Sequence, residues 1–204
     1  MLTGAEGRWV MSEMRGWSGP ARAEAAHDEQ EQAWAHAWTV AMDALAEVSL
    51  VAAAATAEAQ LRQDSASALA GPFADWAFVD LLCPPWARAV AARDPDPELA
   101  GLLLAVTAPE CSLIRSAMQR CTPVLTAVAD EDEPLLGRLP GGRPVLGALD
   151  ACSAAAAPIM NGPTARGAIT IVRRAGHPGI GFVELGVLAQ IGDLTNAAVE
   201  RLAS

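Results

Sequence analysis

The feature that most constrains this chain is a stretch without glycine or proline that runs from Asp28 to about Ser65 and is dominated by alanine. Because alanine has the highest helix propensity and glycine and proline the lowest, the stretch predicts a helix of about ten turns. Its apolar positions are spaced alternately by four and three residues, which is the period of a coiled-coil seam. We call these positions the seam: Trp34, Trp38, Ala41, Leu45, Val48, Ala52, Ala55 and Ala59.

The seam allows two helices to pack along it. Small alanines in its C-terminal half permit close approach of the backbones, and Trp34 and Trp38 supply large apolar surfaces at the other end. We therefore expect a homodimer through the terminal helices, with Trp34, Trp38, Leu45 and Val48 in the interface. The alternative is that the seam packs only on the chain's own final helix.

Length and composition indicate one domain with a helical arm. A chain of 204 residues with 52% apolar residues can bury one full core, but two independent cores would leave each of them small. Residues 1–27 contain several glycines and no stable periodicity, so we expect a loosely held tail there. The arm is assigned to residues 28–70 and the domain to residues 71–204.

The charge balance excludes several classes of partner. A formal net charge of −10 and a sequence pI near 4.7 leave no basic surface for nucleic acids or anionic membranes. No signal peptide is recognisable near the N-terminus, and the continuous apolar runs, such as Val48 to Ala57, are shorter than the roughly 20 residues that span a bilayer. We expect a soluble, cytoplasmic protein.

The segment Phe73 to Leu82 predicts a central strand that is covered on both faces. Period-two alternation places Trp76, Phe78, Asp80 and Leu82 on one face and Ala77, Val79 and Leu81 on the other. A buried Asp80 needs a hydrogen-bond donor, and Arg88 on the following strand would supply one. Further strands are predicted at 121–128, 153–160 and 167–173, and the glycine-rich loop from Leu135 to Arg143 is expected to edge a pocket.

The last segment, Phe182 to Leu202, predicts a helix with Phe182 as its first core residue. The cysteines Cys83, Cys111, Cys121 and Cys152 lie 28, 10 and 31 residues apart, which matches no zinc site and favours reduced, buried thiols. The three histidines are not paired at metal-ligand spacing. We expect neither a metal nor a cofactor.

Three stretches carry a resemblance to a known family. The stretch 74–82 (ADWAFVDLL) resembles the first strand of GAF domains, 112–128 resembles their helix followed by a G-x-P-V-L strand, and 155–185 resembles their closing hairpin and helix. The order of helices and strands over residues 28–204 is also that of a GAF domain. The resemblance implies an α/β (α+β) fold: a central antiparallel sheet flanked by helices, with a long N-terminal helix packed beside the C-terminal helix.

The wording of these stretches is closest to GAF domains of actinobacterial regulators that precede SpoIIE-like, PP2C-type phosphatases or histidine kinases. The resemblance therefore implies a non-catalytic sensory or regulatory module with a phosphatase or kinase as its output partner and a small-molecule ligand, and not an enzyme. Candidate pocket residues are Trp76, Phe78, Asp80, Met118 and Met160.

Two other functions stay open from the sequence. One enzymatic GAF family, free methionine-(R)-sulfoxide reductase, uses pocket cysteines, and Cys111 and Cys152 lie at loosely similar places, although the flanking motifs of that family are missing. The other alternative is a purely structural dimerisation module, in which the candidate pocket residues simply fill the core. Motifs for haem, cyclic nucleotides and bilins are missing from the sequence.

Overall fold

The computed structural model describes residues 20–82, 86–106, 111–128 and 132–204, with side chains from residue 27 onward. Most of the expected tail, residues 1–19, lies outside the described residues. By its internal contacts the chain divides into two units, Met1–His36 and Ala37–Ser204. The second unit contains the whole sheet and the helices that cover it.

The long helix predicted from Asp28 to Ser65 is two helices. Helix α1 spans Pro20–Ala54 and α2 spans Glu58–Leu69, and between them Ala57 has extended backbone angles. The uninterrupted helix was therefore a wrong prediction. The break coincides with a tertiary contact, in which an arginine near the C-terminus, Arg201, donates from Nη2 to the carbonyls of Ala52 and Ala55 at 2.8 and 2.9 Å.

Five strands form one antiparallel sheet with the order β2-β1-β5-β4-β3. The strands are β1 (Trp76–Leu81), β2 (Ala87–Ala92), β3 (Val124–Ala127), β4 (Ala151–Asn161) and β5 (Thr164–Arg174). The remaining helices are α3 (Pro97–Leu104), α4 (Ser112–Arg120), α5 (Val145–Ala148) and α6 (Phe182–Leu202). The predicted fold class, a central antiparallel sheet flanked by helices, is confirmed.

The sheet separates two apolar cores. Ala77, Val79 and Leu81 of β1 belong to a cluster with residues of α1, α2 and α6, which we call the helix-side cluster. Trp76 and Phe78 belong to a second cluster with residues of α3, α4, α5 and the loop before α5, which we call the loop-side cluster. All six residues of β1 are buried, so the predicted strand with two covered faces is confirmed over Trp76–Leu81. Its predicted bounds, Phe73 to Leu82, were too wide, and Leu82 is 45% exposed.

Helix α6 has the predicted bounds and packs closely on β4. A Cβ atom added to Gly192 would lie 2.7 Å from the carbonyl oxygen of Pro158, so only glycine allows this approach. The prediction that Phe182 is a core residue is wrong, since its side chain is 87% exposed. Phe182 is the first residue after the N-cap Gly181, and the core positions at this end are taken by Ile180 and Val187.

One stretch of α1, His27–Ala54, is long and apolar enough by length and composition to cross a membrane, and 22% of its most apolar window is buried. Charged residues interrupt the apolar residues of this stretch, so it contains no long continuous apolar run. Four of its residues, Ala41, Ala44, Val48 and Ala52, are buried in the helix-side cluster. Asp43 and Glu47 lie on the same stretch, where a bilayer would oppose their charge.

Candidate functional site

A buried ion pair joins the two strands at one edge of the sheet. The register places Asp80 of β1 opposite Arg88 of β2, and the guanidinium donates from Nε to Oδ1 at 2.7 Å and from Nη2 to Oδ2 at 3.1 Å. The two side chains are 1% and 8% exposed. This two-point geometry satisfies both carboxylate oxygens and confirms Arg88 as the partner of Asp80.

Burial and the attraction between Asp80 and Arg88 act in opposite directions on the pKa of each side chain. Burial raises the pKa of Asp80 above its ordinary value, and the charge and hydrogen bonds of Arg88 oppose that rise. Burial alone would lower the pKa of Arg88, but the charge and hydrogen bonds of Asp80 outweigh this effect and the pKa lies above its usual value. Arg88 is therefore a permanent cation inside the domain.

Arg88 also connects the sheet to the helices of the loop side. Its Nη1 donates to the carbonyl of Leu103 in α3 at 3.4 Å, and its Nη2 lies 3.8 Å from Sγ of Cys111, which immediately precedes α4. Its guanidinium carbon lies 5.4 Å from the centre of the Phe78 ring, within the range of a cation–π interaction. Movement of α3 would change the hydrogen bond between Arg88 and Leu103 and thereby the surroundings of the Asp80–Arg88 pair.

A cleft of about 410 Å³ opens between α3 and the glycine-rich loop before α5. The lining residues are Asp96, Glu98, Leu99, Leu102, Leu139, Pro140, Gly141, Arg143 and Ala148. Four of its apolar residues, Leu99, Leu102, Leu139 and Ala148, also belong to the loop-side cluster or pack against it, so the floor of the cleft is the edge of that core. The volume is in the range of small-molecule sites, which are usually apolar with a few polar groups.

A larger cleft of about 670 Å³ lies along α1, but its described lining, His27 to Ala35, belongs to one stretch of one helix. No second described element encloses it. We therefore regard the cleft beside α3 as the better candidate site.

The five predicted pocket residues occupy three different environments. Trp76 and Phe78 are buried in the loop-side cluster and Met118 packs against it. Asp80 is engaged by Arg88, as described above. Met160 is half-buried near the hairpin that ends β4, and among the described residues it belongs to neither cluster. None of the five lines the cleft beside α3, so their role in ligand binding stays a prediction.

Two buried polar groups of the loop-side face have no hydrogen-bond partner among the described residues: Nε1 of Trp76 and Oγ1 of Thr170. Both side chains are 0% exposed. A buried hydrogen-bonding group without a partner lowers the stability of the fold. The indole N–H of Trp76 and the hydroxyl of Thr170 are therefore two polar groups of this face whose hydrogen bonds the described residues do not satisfy. The guanidinium carbon of Arg174 lies 5.7 Å from the centre of the Trp76 ring.

A second polar cluster, which the sequence did not reveal, joins the start of β1 to the loop before α6. Asp75 is 2% exposed and accepts from the backbone N–H of Arg174 at 2.9 Å and from Nδ1 of His177 at 2.8 Å. Burial would raise the pKa of Asp75, but these bonds and the nearby charge of Arg173 outweigh it, and the pKa lies below its usual value.

The same cluster secures neighbouring segments. Arg173 donates from Nη2 to the carbonyl of Pro72 at 2.8 Å, and the N–H of Ile180 donates to Oγ of Ser153 at 3.0 Å. Burial lowers the pKa of Arg173 below its usual value, although the charges of Asp75 and Glu184 partly oppose that effect. Asp75 and His177 are 102 residues apart, so no local pattern could have linked them.

The seam residues divide between the core and the surface. Val48 is 0% exposed and Leu45 packs against the helix-side cluster, whereas Trp34 and Trp38 are 61% and 48% exposed. The alanines Ala41, Ala52 and Ala55 are also buried in that cluster. Much of the seam thus packs within the chain's own domain, and a dimer through it stays a prediction.

The three described cysteines occupy separate places. Cys111 is buried beside Arg88, whereas Cys152 is half-buried and donates to the carbonyl of Arg174 at 3.1 Å. Cys121 is exposed, so the prediction of buried thiols is wrong there, because Cys121 is the left-handed C-cap of α4. Cys83 lies outside the described residues.

Within the described part of the chain, no group of three or more His, Cys, Asp or Glu side chains is arranged to hold a metal ion. Comparison of the sequence with known families and with curated proteins found no match. Comparison of the structure with solved structures, in contrast, found many.

The chain is similar in structure to GAF domains. One is the GAF domain of a phosphoenolpyruvate-protein phosphotransferase from Coxiella burnetii: TM-score 0.59, 17% identity, 81% of this chain and 96% of that one covered. Another is a GAF domain from A. aeolicus in an inactive state, with TM-score 0.58, 13% identity, and 80% and 97% covered. A free methionine-R-sulfoxide reductase from Neisseria meningitidis gives TM-score 0.58 at 13% identity, with 82% and 93% covered. At these identities the likeness shows the fold alone, which is that of a GAF domain.

Proposed function

We propose that this chain is a sensory or regulatory module of GAF fold that binds a small molecule in the cleft beside α3. The observation that carries the proposal is the cleft itself, about 410 Å³ in volume, with an apolar floor continuous with the loop-side cluster. One of its walls is a loop with glycines at 141 and 142 that both have positive φ angles. Such a wall can adjust to a ligand without a change in the sheet.

Binding in the cleft has a direct route to the sheet. Leu102 lines the cleft, and the carbonyl of the next residue, Leu103, accepts from Arg88. A ligand that shifts α3 would change this bond and the environment of the Asp80–Arg88 pair. Since β1 is a central strand, the change would reach the helix-side cluster, which contains residues of α1 and α6.

The arrangement of the cysteines supports a non-catalytic module more than a reductase. A thiol-based reductase with two cysteines needs the resolving thiol within reach of the first. Cys111 contacts the guanidinium of Arg88, whereas Cys152 donates to the carbonyl of Arg174, so different partners hold the two thiols. The name of the Neisseria meningitidis protein describes that protein, and its low identity transfers no activity to this chain.

The wider setting of the module is also a proposal. We propose a cytoplasmic homodimer, related to actinobacterial regulators, that acts on a PP2C-type phosphatase or a histidine kinase through its terminal helices. The resemblance of the stretches 74–82, 112–128 and 155–185 supports the setting, and the exposed Trp38 and Met42 of α1 support the dimer.

Native mass spectrometry of the purified chain, combined with thermal denaturation against a metabolite library, tests this function. We expect at least one compound to raise the melting temperature and to be retained as an added mass. The substitution Ala148→Leu adds bulk to the cleft and should abolish that effect. Ala105→Leu, at an exposed position at the end of α3, is the matched control and should preserve it.

Two results would contradict the proposal. One is a library in which no compound stabilises the protein. The other is a stabilising compound whose effect is unchanged by Ala148→Leu, because the ligand would then bind elsewhere.

A further inference from the structure

The cleft beside α3 contains opposite charges on two different segments. Glu98 lies in the first turn of α3, and Arg143 lies just before α5. Both side chains line the cleft, and among the described residues they do not form an ion pair with each other. Each charge is therefore available to a molecule that enters between them.

The charged groups that line the cleft differ in how many hydrogen bonds they already make. Asp96 also lines the cleft, but its Oδ1 already accepts from the N–H groups of Glu98 and Leu99 at 3.0 and 3.1 Å as the N-cap of α3. The Glu98 carboxylate has no such described bond. Arg143 donates from Nη2 to the carbonyl of Gly147 at 2.8 Å, and a guanidinium has five N–H donors, so most of them remain.

Between the charged groups the surface is apolar. Leu99 and Leu102 of α3 are half-buried, and Leu139 of the opposite loop is 7% exposed. A molecule in this position meets a carboxylate, a guanidinium and an aliphatic floor together. The charged lining consists of two carboxylates, Asp96 and Glu98, and one guanidinium, Arg143, so the cleft offers partners for both an ammonium group and a carboxylate.

From this charge pattern we propose that the cleft binds a small zwitterion with an aliphatic chain, its carboxylate on Arg143 and its ammonium group on Glu98. The inference rests on the proposed function and names the ligand class of the same site. A guanidinium suits a carboxylate because the two groups form parallel hydrogen bonds. Both α-amino acids and longer ω-amino acids have this chemistry, and they differ in the separation of the two charges.

Isothermal titration calorimetry with four kinds of probe tests the proposal. L-leucine carries the two charges close together, and 6-aminohexanoate carries them far apart. 4-Methylpentanoate lacks the ammonium group and 3-methylbutylamine lacks the carboxylate. We expect one of the zwitterions to bind at least about tenfold more tightly than either singly charged compound, since each lost charge-assisted bond costs about that factor.

Variants of the lining residues, compared with matched controls outside the lining, test where the zwitterion binds. Arg143→Gln and Glu98→Gln should each weaken binding of the zwitterion about tenfold or more. Arg138→Gln removes an arginine of the same loop whose Nη1 donates to Gly142, and Glu133→Gln removes an exposed acid that does not line the cleft. Both controls should leave the affinity unchanged. Circular dichroism of each variant verifies that it is folded.

The outcomes separate this inference from the proposed function. If neither zwitterion binds, or a singly charged compound binds as tightly, the zwitterion assignment is wrong. The proposed function would survive that result if another compound still bound in a manner abolished by Ala148→Leu. If no compound of any class binds, both fail.

Discussion

At the scale of single residues, the buried pair of Asp80 and Arg88 links the sheet to α3. Two hydrogen bonds satisfy the carboxylate in a place where water does not reach it, and the same guanidinium holds Leu103 of α3. Loss of either partner leaves a charge buried without compensation. The pair thus adds a polar link between α3 and the sheet to the apolar packing of Leu103 in the loop-side cluster.

Replacement of Arg88 by methionine should lower the free energy of unfolding by about 3–5 kcal/mol, because the Asp80 carboxyl then remains buried without its partner. Arg88→Lys should lose less, since an ammonium group keeps the charge but not the two-point geometry. Urea unfolding followed by circular dichroism measures both. Arg115→Met, at an exposed position of α4, is the control, and equal losses for Arg88→Met and Arg115→Met would contradict the prediction.

Asp75 predicts an acid-dependent loss of stability. Its pKa in the folded protein lies below the ordinary value of 3.8, so it stabilises the fold above about pH 4, and this contribution is lost as the pH falls through the folded pKa. Asp75→Asn should therefore be less stable than the natural chain at pH 7, and the difference should shrink as the pH falls below 3.8. Unfolding curves from pH 7 downward test this. The exposed Asp94→Asn should show no such convergence, and a constant difference for Asp75→Asn would refute the assignment.

At the scale of elements, the strands and α6 could be predicted because their signals are local. Alternation of large and small apolar residues defined both faces of β1, and this placed Arg88 as a partner for Asp80. The break between α1 and α2 has no glycine or proline to mark it, and the side chain that binds carbonyls there, Arg201, lies about 150 residues further along. Asp75 and His177 were missed for the same reason, since only the fold brings them together. The cleft was foreseen only through the loop from Leu135 to Arg143.

Two glycines of α6 provide a test of its packing on β4. Gly192→Ala would place a methyl group against the Pro158 carbonyl, so α6 must shift, at a cost of about 1–3 kcal/mol. Gly186 lies in the same helix with open space around its Cα, and Gly186→Ala should instead stabilise the protein by about 0.5–1 kcal/mol. Chemical denaturation of the two variants should thus give shifts of opposite sign. Shifts of the same sign would contradict the close contact.

At the scale of the whole molecule, different residues of α1 would serve folding and the proposed self-association. Val48 is buried in the helix-side cluster, whereas Trp38 and Met42 are 48% and 39% exposed. Seam residues therefore serve two roles, and substitution of Leu45 and Val48 together would not separate them. A variant that tests the proposed dimer must change the exposed residues only.

Trp38→Glu should convert the proposed dimer into a monomer and leave the melting temperature of the domain within a few degrees. Val48→Glu should unfold the domain, because it buries an unpaired carboxylate. Size-exclusion chromatography with light scattering, together with thermal denaturation, distinguishes these effects. A natural chain that is monomeric at high concentration, or a Trp38→Glu variant that remains a dimer, would refute the proposed interface.

The two bonds from Arg201 have a mechanical consequence. They tie the last turn of α6 to the C-terminal end of α1 without passing through the sheet. A rotation of α6 would therefore have to break both bonds or move residues 52–55 with it. A displacement that an attached protein imposes on one of the two helices would then be transmitted to the other.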